Sequence, residues 1–271
     1  MTRVKDIVAA AEKHWPVAGA EEWDRPGLVA GSLDAQVTKV LLSVDVTAEL
    51  IADAKAGGFD LVIAHHPFLL RGVDTVAENT NKGSILSEAI RSGIALFSAH
   101  TNADITATGV SATLAQAFGL QDAMSLSPAG KSLGHGRIGR LQAPMKLVDF
   151  ARQIAKVLPA TAAGLKVAGD SELEVRTVAL CGGAGDSFLK DALASDADVF
   201  VTSDLRHHPT QDALEDAKAK GKPFAIIDIS HWAAESLWLD VAAKELSIAV
   251  PGVKFVVSDL RTDPWDFAVT Q

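Results

Sequence analysis

The sequence predicts an α/β protein made of two similar halves related by internal duplication, each a mostly parallel or mixed sheet flanked by helices. Short apolar runs rich in β-branched residues alternate with helical patterns, which is typical of parallel βαβ units. The same alternation occurs again later in the chain. Its strands are apolar on both faces, as in sheets that are covered on both sides.

The first half spans residues 1–128, and its helical patterns end in glycine, as helices commonly do. Residues 1–16 carry Asp6 and Glu12 among apolar residues and therefore predict an amphipathic helix, not a signal peptide. The predicted strands are residues 39–44, 60–65 and 94–100. The predicted helices between and after them are residues 47–58, residues 83–93 and a segment that ends at Gly119.

The second half spans residues 129–271 and repeats the alternation. The predicted strands are residues 175–181, 197–202 and 223–230, and the predicted helices are residues 187–196 and 212–221. Around the boundary, residues 121–170 are mixed and include an amphipathic helix at 146–158.

The halves can be aligned on one strand and its flanks. Placing residues 59–66 on residues 197–204 puts Asp60 on Asp198 and the pair His65-His66 on Ser203-Asp204. A second His-His-Pro sequence, at 207–209, then falls about one helical turn beyond the strand end. The two His-His-Pro sequences are therefore not equivalent in the duplication.

Composition excludes several classes of function. The chain has 271 residues, a formal net charge of −9 and one cysteine, Cys181. An acidic chain without a basic run is a poor candidate for binding nucleic acid or anionic membranes. A single cysteine excludes a disulfide framework and a multi-cysteine zinc site. Since apolar runs are also too short to span a membrane, we expect a cytoplasmic protein.

Potential metal ligands lie at or just beyond the carboxyl ends of three of the predicted strands, which is where open α/β sheets bind ligands. Strand by strand, these residues are His65 with His66, His100 with Asp104, and His231 with Glu235. Ser230 is a typical helix N-cap, which would place His231 and Glu235 four residues apart on one helix face. The convergence predicts a metal site between the two halves.

The types of ligand narrow the chemistry. Imidazoles and carboxylates without a thiolate suit zinc, iron, manganese or nickel. Side chains alternate along a strand, so His65 and His66 are expected to point in opposed directions and to serve two ions better than one. Two ions about 3.5–4 Å apart would activate a bridging water and bind a substrate oxyanion. His100 is balanced between supporting this site and an ordinary structural role.

Other features have competing interpretations. The glycines at 182–185 could hold a phosphate on backbone amides or form a tight turn between strand and helix. Arg137 and Arg140 could meet an anionic substrate or lie, solvated, in a turn. Cys181 is interpreted as a buried apolar residue. Trp15 and Trp23 are interpreted as packing residues in preference to a stacking platform for a ligand. His14, His135 and His207 are interpreted as structural residues.

With these residues in hand, the chain resembles the NGG-interacting-factor family of dinuclear-metal proteins, many of which are named GTP cyclohydrolase 1 type 2 homologs. The resemblance covers nearly the whole chain. Its ordered motifs are EEWDRPGLVAG, LSVDVT, LVIAHHP, HTNAD, GRIGRL, VALCGGAG, ADVFVTSD, ISHWAAE and the terminal DPW. Arg25-Pro26 and Ser230 depart from the family's pattern without removing a ligand. Longer members carry an extra domain between the halves, for which residues 121–170 are too few.

The resemblance implies a centre of two divalent metal ions per chain, with Glu235 as the bridging carboxylate. The residues that match the family's ligands are His65, His66, Asp104, His231 and Glu235. His100 would line the pocket, orient a ligand or shuttle a proton, whereas His208 matches a family histidine that is not associated with metal. The resemblance also implies a ring-shaped homohexamer with metal sites facing an internal cavity.

Two functions are compatible with such a centre. The first is a metal-dependent hydrolase of a nucleotide-like or phosphorylated small molecule, with GTP ring opening as one candidate reaction. The second is a metal-binding regulatory or metal-handling ring protein that is not an enzyme. Residue types near the predicted ligands contain no clear substrate-specificity motif, so turnover must distinguish the two.

Overall fold

The computed structural model describes residues 1–128, 130–131 and 133–269. The chain divides into two compact units, of which the first comprises Met1–Ala103 with Leu239–Thr262 and the second comprises Asp104–Trp238 with Asp263–Gln271. Each unit has one sheet with helices packed against it, so the predicted mixed α/β class is confirmed. Among the residues that the structure describes, no helix combines the length and the apolarity that crossing a bilayer requires.

The sheet of the first unit has the strand order β1-β4-β3-β2-β11. The strands are β1 (Gly27–Ala30), β2 (Lys39–Ser43), β3 (Leu61–Ala64), β4 (Ala95–Ser98) and β11 (Lys254–Val257). From β4 to β11 the neighbours are parallel, and β1 runs antiparallel to β4. The parallel β2, β3 and β4 deliver their carboxyl ends to one edge of the sheet, as predicted.

The helices of this unit follow local signals in the sequence. They are α1 (Val4–His14), α2 (Ala48–Ala56), α3 (Asn81–Arg91) and the short α4 (Thr101–Asp104) at the boundary. Thr47 caps α2 by accepting from Leu50 N at 3.1 Å, and Thr80 caps α3 by accepting from Gly83 N at 3.1 Å. The buried residues of α2 and α3 form one core with those of β2, β3 and β4.

The sheet of the second unit has the strand order β5-β6-β8-β9-β10-β7. The strands are β5 (Leu120–Met124), β6 (Arg137–Lys146), β7 (Lys166–Ala168), β8 (Glu174–Ala184), β9 (Val199–Ser203) and β10 (Ala225–Ile229). The central β8, β9 and β10 are parallel, and the outer strands are antiparallel to their neighbours. The helices are α5 (Val110–Ala117), α6 (Leu147–Val157), α7 (Leu189–Ala194), α8 (His207–Ala219) and α9 (His231–Ala249), of which α9 belongs to this unit up to Trp238.

The internal duplication is visible in a pair of aspartates. Asp60 precedes β3, and its Oδ2 accepts from Thr38 N at 2.7 Å and Lys39 N at 3.0 Å, at the start of the neighbouring β2. Asp198 precedes β9, and its Oδ2 accepts from the backbone N–H groups of residues 176 and 177 in β8, both at 2.8 Å. The two residues that the alignment pairs therefore perform the same structural task.

The turn that is one of the two interpretations of Arg137 and Arg140 is not observed. Both arginines lie in β6, which pairs with β5 on one side and β8 on the other. The guanidinium of Arg137 is buried and donates to the backbone carbonyls of Gly134, Gly136 and Thr106. It ties the chain together internally and is not available to a substrate, whereas Arg140 is exposed.

Candidate functional site

Three histidines of the first unit form one cluster, here called the imidazole cluster: His65, His66 and His100. The first two follow β3, and His100 follows β4. Their ring centroids are 5.2 to 5.5 Å apart, and one ring nitrogen from each lies within 4.8 Å of the others. The rings of His65 and His66 thus lie side by side instead of pointing in opposed directions. His100 is a full member of the cluster.

Each ring of the imidazole cluster is anchored through Nδ1 to an oxygen that can only accept a hydrogen bond. The contacts are His65 Nδ1 to Ala99 O (2.8 Å), His66 Nδ1 to Asp45 Oδ1 (2.7 Å) and His100 Nδ1 to Asp24 Oδ1 (2.9 Å). A carbonyl or carboxylate partner requires that Nδ1 carries the proton, so Nε2 of a neutral ring carries the lone pair. This is the tautomer that a metal-binding histidine needs.

Asp24 is itself held in the charged form. Its side chain is buried, and burial alone would raise the pKa of the carboxyl. Hydrogen bonds from His100 and Thr101 oppose this effect and bring the pKa of Asp24 well below its usual value. Thr101 donates through both its backbone N–H (3.0 Å) and its hydroxyl. The partner of His100 is therefore a fixed anion.

The second unit contains a paired histidine and glutamate at the start of α9. Ser230 caps the helix by accepting from Ala233 N at 3.2 Å, as predicted. Consequently His231 and Glu235 share one helix face, with His231 Nε2 2.8 Å from Glu235 Oε1. Glu235 is buried, so its charge is little screened.

His231 is anchored in the same way as the imidazole cluster. Its Nδ1 donates to Asp204 Oδ2 at 2.7 Å. Asp204 follows β9 and adopts a left-handed backbone conformation with φ 56°. Burial alone would lower the pKa of His231, but Glu235 and Asp204 together raise it to about 11.

A glycine leaves space beside this pair. Gly183, near the end of β8, has φ +75°, and a Cβ there would lie 3.0 Å from Glu235 Oε1 and 3.6 Å from His231 Nε2. Any side chain at this position would fill the approach to both ligand atoms. The sequence pattern indicated glycines here but not which of them matters.

Asp104, the last residue of α4, lies in a charged part of the second unit. The negative charge of its carboxylate favours the protonated forms of the buried Cys181 thiol and of the Arg137 guanidinium. Burial, followed by the charge of Asp104, raises the pKa of the Cys181 thiol to about 12, and Glu235 adds to this effect. The charges of Asp104 and Glu235 thus both raise the pKa of this thiol. Cys181 is buried, as predicted.

The glycine-rich segment and the second His-His-Pro sequence contribute no side chain to the candidate metal site. The glycine-rich segment continues β8 to Ala184, and its amides are used internally, Gly182 N by Ser111 Oγ (3.1 Å) and Gly185 N by Ser203 O (3.3 Å). It is not a phosphate loop. His207 and His208 are exposed at the start of α8. Of the two His-His-Pro sequences, only the first contributes histidines to the described groups that could hold a metal ion.

The donor chemistry of both groups fits a divalent metal ion. The imidazole cluster presents three rings with oriented nitrogens, and the His231–Glu235 pair presents a buried carboxylate beside a ring with open space at Gly183. Imidazole and carboxylate without thiolate suit a borderline divalent ion. These buried histidine and glutamate groups can therefore hold metal. Sequence reasoning missed Asp24, Asp45 and Asp204, whose role depends on contacts with distant residues.

Comparison with known proteins agrees with this description. The sequence profile of the family Duf34/NIF3 (NGG1p interacting factor 3) matches residues 2–264. A Streptomyces coelicolor protein named GTP cyclohydrolase 1 type 2 homolog is 40% identical over 98% of this chain and 94% of its own. A Mycobacterium tuberculosis protein of the same name is 31% identical, covering 97% of each chain.

Solved structures share the fold. A Bacillus cereus protein related to NIF3 superposes with a TM-score of 0.90 at 24% identity, over 98% of this chain and 99% of its own. A Staphylococcus aureus protein superposes with a TM-score of 0.86 at 27% identity and the same coverage. On the profile match and the 40% identity, the chain belongs to the Duf34/NIF3 (NGG1p interacting factor 3) family.

Proposed function

We propose that this protein is a divalent-metal-dependent hydrolase of a nucleotide-like or phosphorylated small molecule. The observation that carries the proposal is the set of histidines whose Nδ1 atoms are all tied to acceptors. Four rings prepared in this way, three in one cluster, exceed what a structural role needs. The name shared by the relatives, GTP cyclohydrolase 1 type 2 homolog, makes GTP ring opening the first reaction to test.

The proposed centre would hold two divalent ions per chain. The proposed ligands are His65, His66, Asp104, His231 and Glu235, with Glu235 as the bridging carboxylate. Divalent ions bound there would supply an activated water and a positive charge that stabilises a developing oxyanion. The support for this arrangement is the donor chemistry of each unit and the match to the family's motifs.

Other side chains of the protein would orient the metal-binding rings and transfer protons. Asp45 and Asp204 keep the rings of His66 and His231 oriented. His100, with its Nδ1 fixed by Asp24, presents Nε2 towards the other rings of the imidazole cluster. A ring in this position can bind a ligand or move a proton to or from it.

Elemental analysis of protein purified without chelators tests the proposal first. We expect close to two divalent ions per chain, lost in Glu235→Ala and in His65→Ala but kept in His208→Ala, a matched histidine variant at an exposed position. Release of formate from GTP would then be measured on the loaded protein.

Two outcomes would contradict the proposal in different ways. A native protein that takes up no metal on reconstitution would show that the histidines are structural. Full metal occupancy without turnover of GTP, other nucleotides or phosphoesters would favour a metal-binding protein that is not an enzyme. The homohexameric ring stays a prediction, and sedimentation equilibrium measures it directly.

A further inference from the structure

Trp23 is not the packing residue that the sequence predicts. It leaves 55% of its surface exposed, whereas Trp15 and Trp238 are almost completely buried. Its indole meets the ring of His100 at 78°, with the centroids 5.8 Å apart. An exposed tryptophan therefore lies directly against the imidazole cluster.

The backbone that carries Trp23 is fixed on both sides of the residue. Before it, Glu21 N donates to Thr101 Oγ1 at 3.0 Å. After it, Asp24 accepts from Thr101 N at 3.0 Å and from Arg25 N at 2.7 Å. The same Asp24 carboxylate anchors His100. One set of hydrogen bonds thus positions both the indole and the imidazole.

A large, exposed aromatic ring on a fixed backbone is typical of a binding surface. Exposed apolar area is unfavourable in water, and little conformational entropy is lost when a ligand covers a ring that is already held in place. An indole stacks well on planar heteroaromatic rings and provides no charge for recognising a phosphate.

We propose that Trp23 is a specificity-determining residue that stacks on a planar heteroaromatic ring of the ligand bound beside the imidazole cluster. This inference rests on the proposed function and adds the ring as the part of the substrate that is recognised. It requires the ligand to be a nucleotide-like molecule and disfavours simple sugar phosphates.

Two probes separate the ring from the phosphate: guanosine monophosphate, and ribose 5-phosphate, which has the same sugar phosphate without the base. Binding of each is measured by calorimetry and by tryptophan fluorescence. Guanosine monophosphate should quench part of the fluorescence, and Trp23→Ala should abolish that part. Loss of one stacking contact should weaken its binding on the order of tenfold to a hundredfold. Ribose 5-phosphate should bind Trp23→Ala as it binds the native protein.

Two variants control for indirect effects. Trp23→Phe keeps an aromatic face and should retain most of the affinity for guanosine monophosphate. Trp265→Ala removes the indole of a residue that is 63% exposed near the C-terminus and should change neither affinity. Unchanged binding of guanosine monophosphate by Trp23→Ala would overturn the inference. An equal loss of affinity for both probes would also overturn it, because Trp23 would then act by positioning His100. A change in sedimentation without a change in binding would overturn it as well, because Trp23 would then contact a second copy of the chain.

The titrations are run on protein of measured metal content, which separates this inference from the proposed function. Metal-loaded protein without Trp23-dependent quenching would leave the metal centre standing and remove the ring subsite. Trp23-dependent quenching in a protein that takes up no metal on reconstitution would support the ring subsite and contradict the proposed hydrolase.

Discussion

Asp204 Oδ2 lies 2.7 Å from His231 Nδ1 and accepts its hydrogen bond. In the alignment of the two halves, Asp204 takes the place of His66. One copy of the strand end therefore offers a ring that can bind metal, and the other offers a carboxylate that orients such a ring. The equivalent positions 66 and 204 therefore have different roles, one as a possible metal ligand and the other as the hydrogen-bond acceptor of a possible ligand.

This relationship predicts the effect of Asp204→Asn. An amide cannot supply the negative charge that orients and polarises His231, so metal affinity should fall by about ten- to a hundredfold. The measurement is competitive titration against a metal-binding dye. Asp122→Asn is the matched control, because Asp122 is another exposed aspartate in a left-handed conformation, with φ 52°. Equal affinities in the two variants would show that Asp204 does not act on the metal site.

Gly183→Ala should damage the site through its Cβ. The left-handed backbone alone costs about 1–2 kcal/mol of stability for a residue with a side chain, and the Cβ would also lie 3.0 Å from Glu235 Oε1. Gly164→Ala shares the backbone penalty, with φ +58°, but its Cβ would have no neighbour within 4 Å. We expect similar loss of stability in urea denaturation for both variants, and loss of metal only in Gly183→Ala. Full metal content in both would show that the space beside Glu235 is not required.

The stability provided by Asp24 should depend on pH. The pKa of this carboxyl is lower in the folded than in the unfolded protein, so its contribution is present above the unfolded value and declines as the pH falls through and below about 4. At neutral pH, Asp24→Asn should lower the free energy of unfolding by about 1.5–3 kcal/mol, the usual value of hydrogen bonds to a charged group. The difference from the native protein should shrink in acid. Urea denaturation of chelator-treated protein at several pH values measures it, and a constant difference would contradict the assignment.

Cys181 should be unreactive in the folded protein. Burial and the charges of Asp104 and Glu235 raise its pKa to about 12, so almost no thiolate forms at neutral or mildly alkaline pH. Iodoacetamide should label the chain only after denaturation, as followed by mass spectrometry. Rapid labelling of the native protein would show that the thiol is accessible and ionised.

The sequence predicted the parts of this structure that depend on local signals. Thr47 and the glycine at 57 bound α2 as expected, and Ser230 starts the helix that presents His231 and Glu235. Short polar strands such as β5 and β7 were missed, because strands at the edge of a sheet lack a continuous apolar pattern.

Contacts between residues that are far apart in the chain could not be predicted from local sequence patterns. His100 and Asp24 are 76 positions apart, so no spacing rule joins them. The two glycines in GRIGRL suggest a turn, yet the second, Gly139, lies within β6, where a Cβ would come 2.9 Å from Gln121 O of β5. Its small size serves close packing between strands. Trp23 looked like a packing residue because nothing in its neighbours' identities indicates exposure.

The order of strands in the first sheet has a consequence for biosynthesis. β11 is the parallel neighbour of β2, although residues 44–253 separate them in the chain. A ribosome must therefore synthesise residues 44–253 before the first sheet can acquire β11. Until then the nascent chain leaves one edge of β2 uncovered, although four of the five residues of this strand are buried in the folded protein.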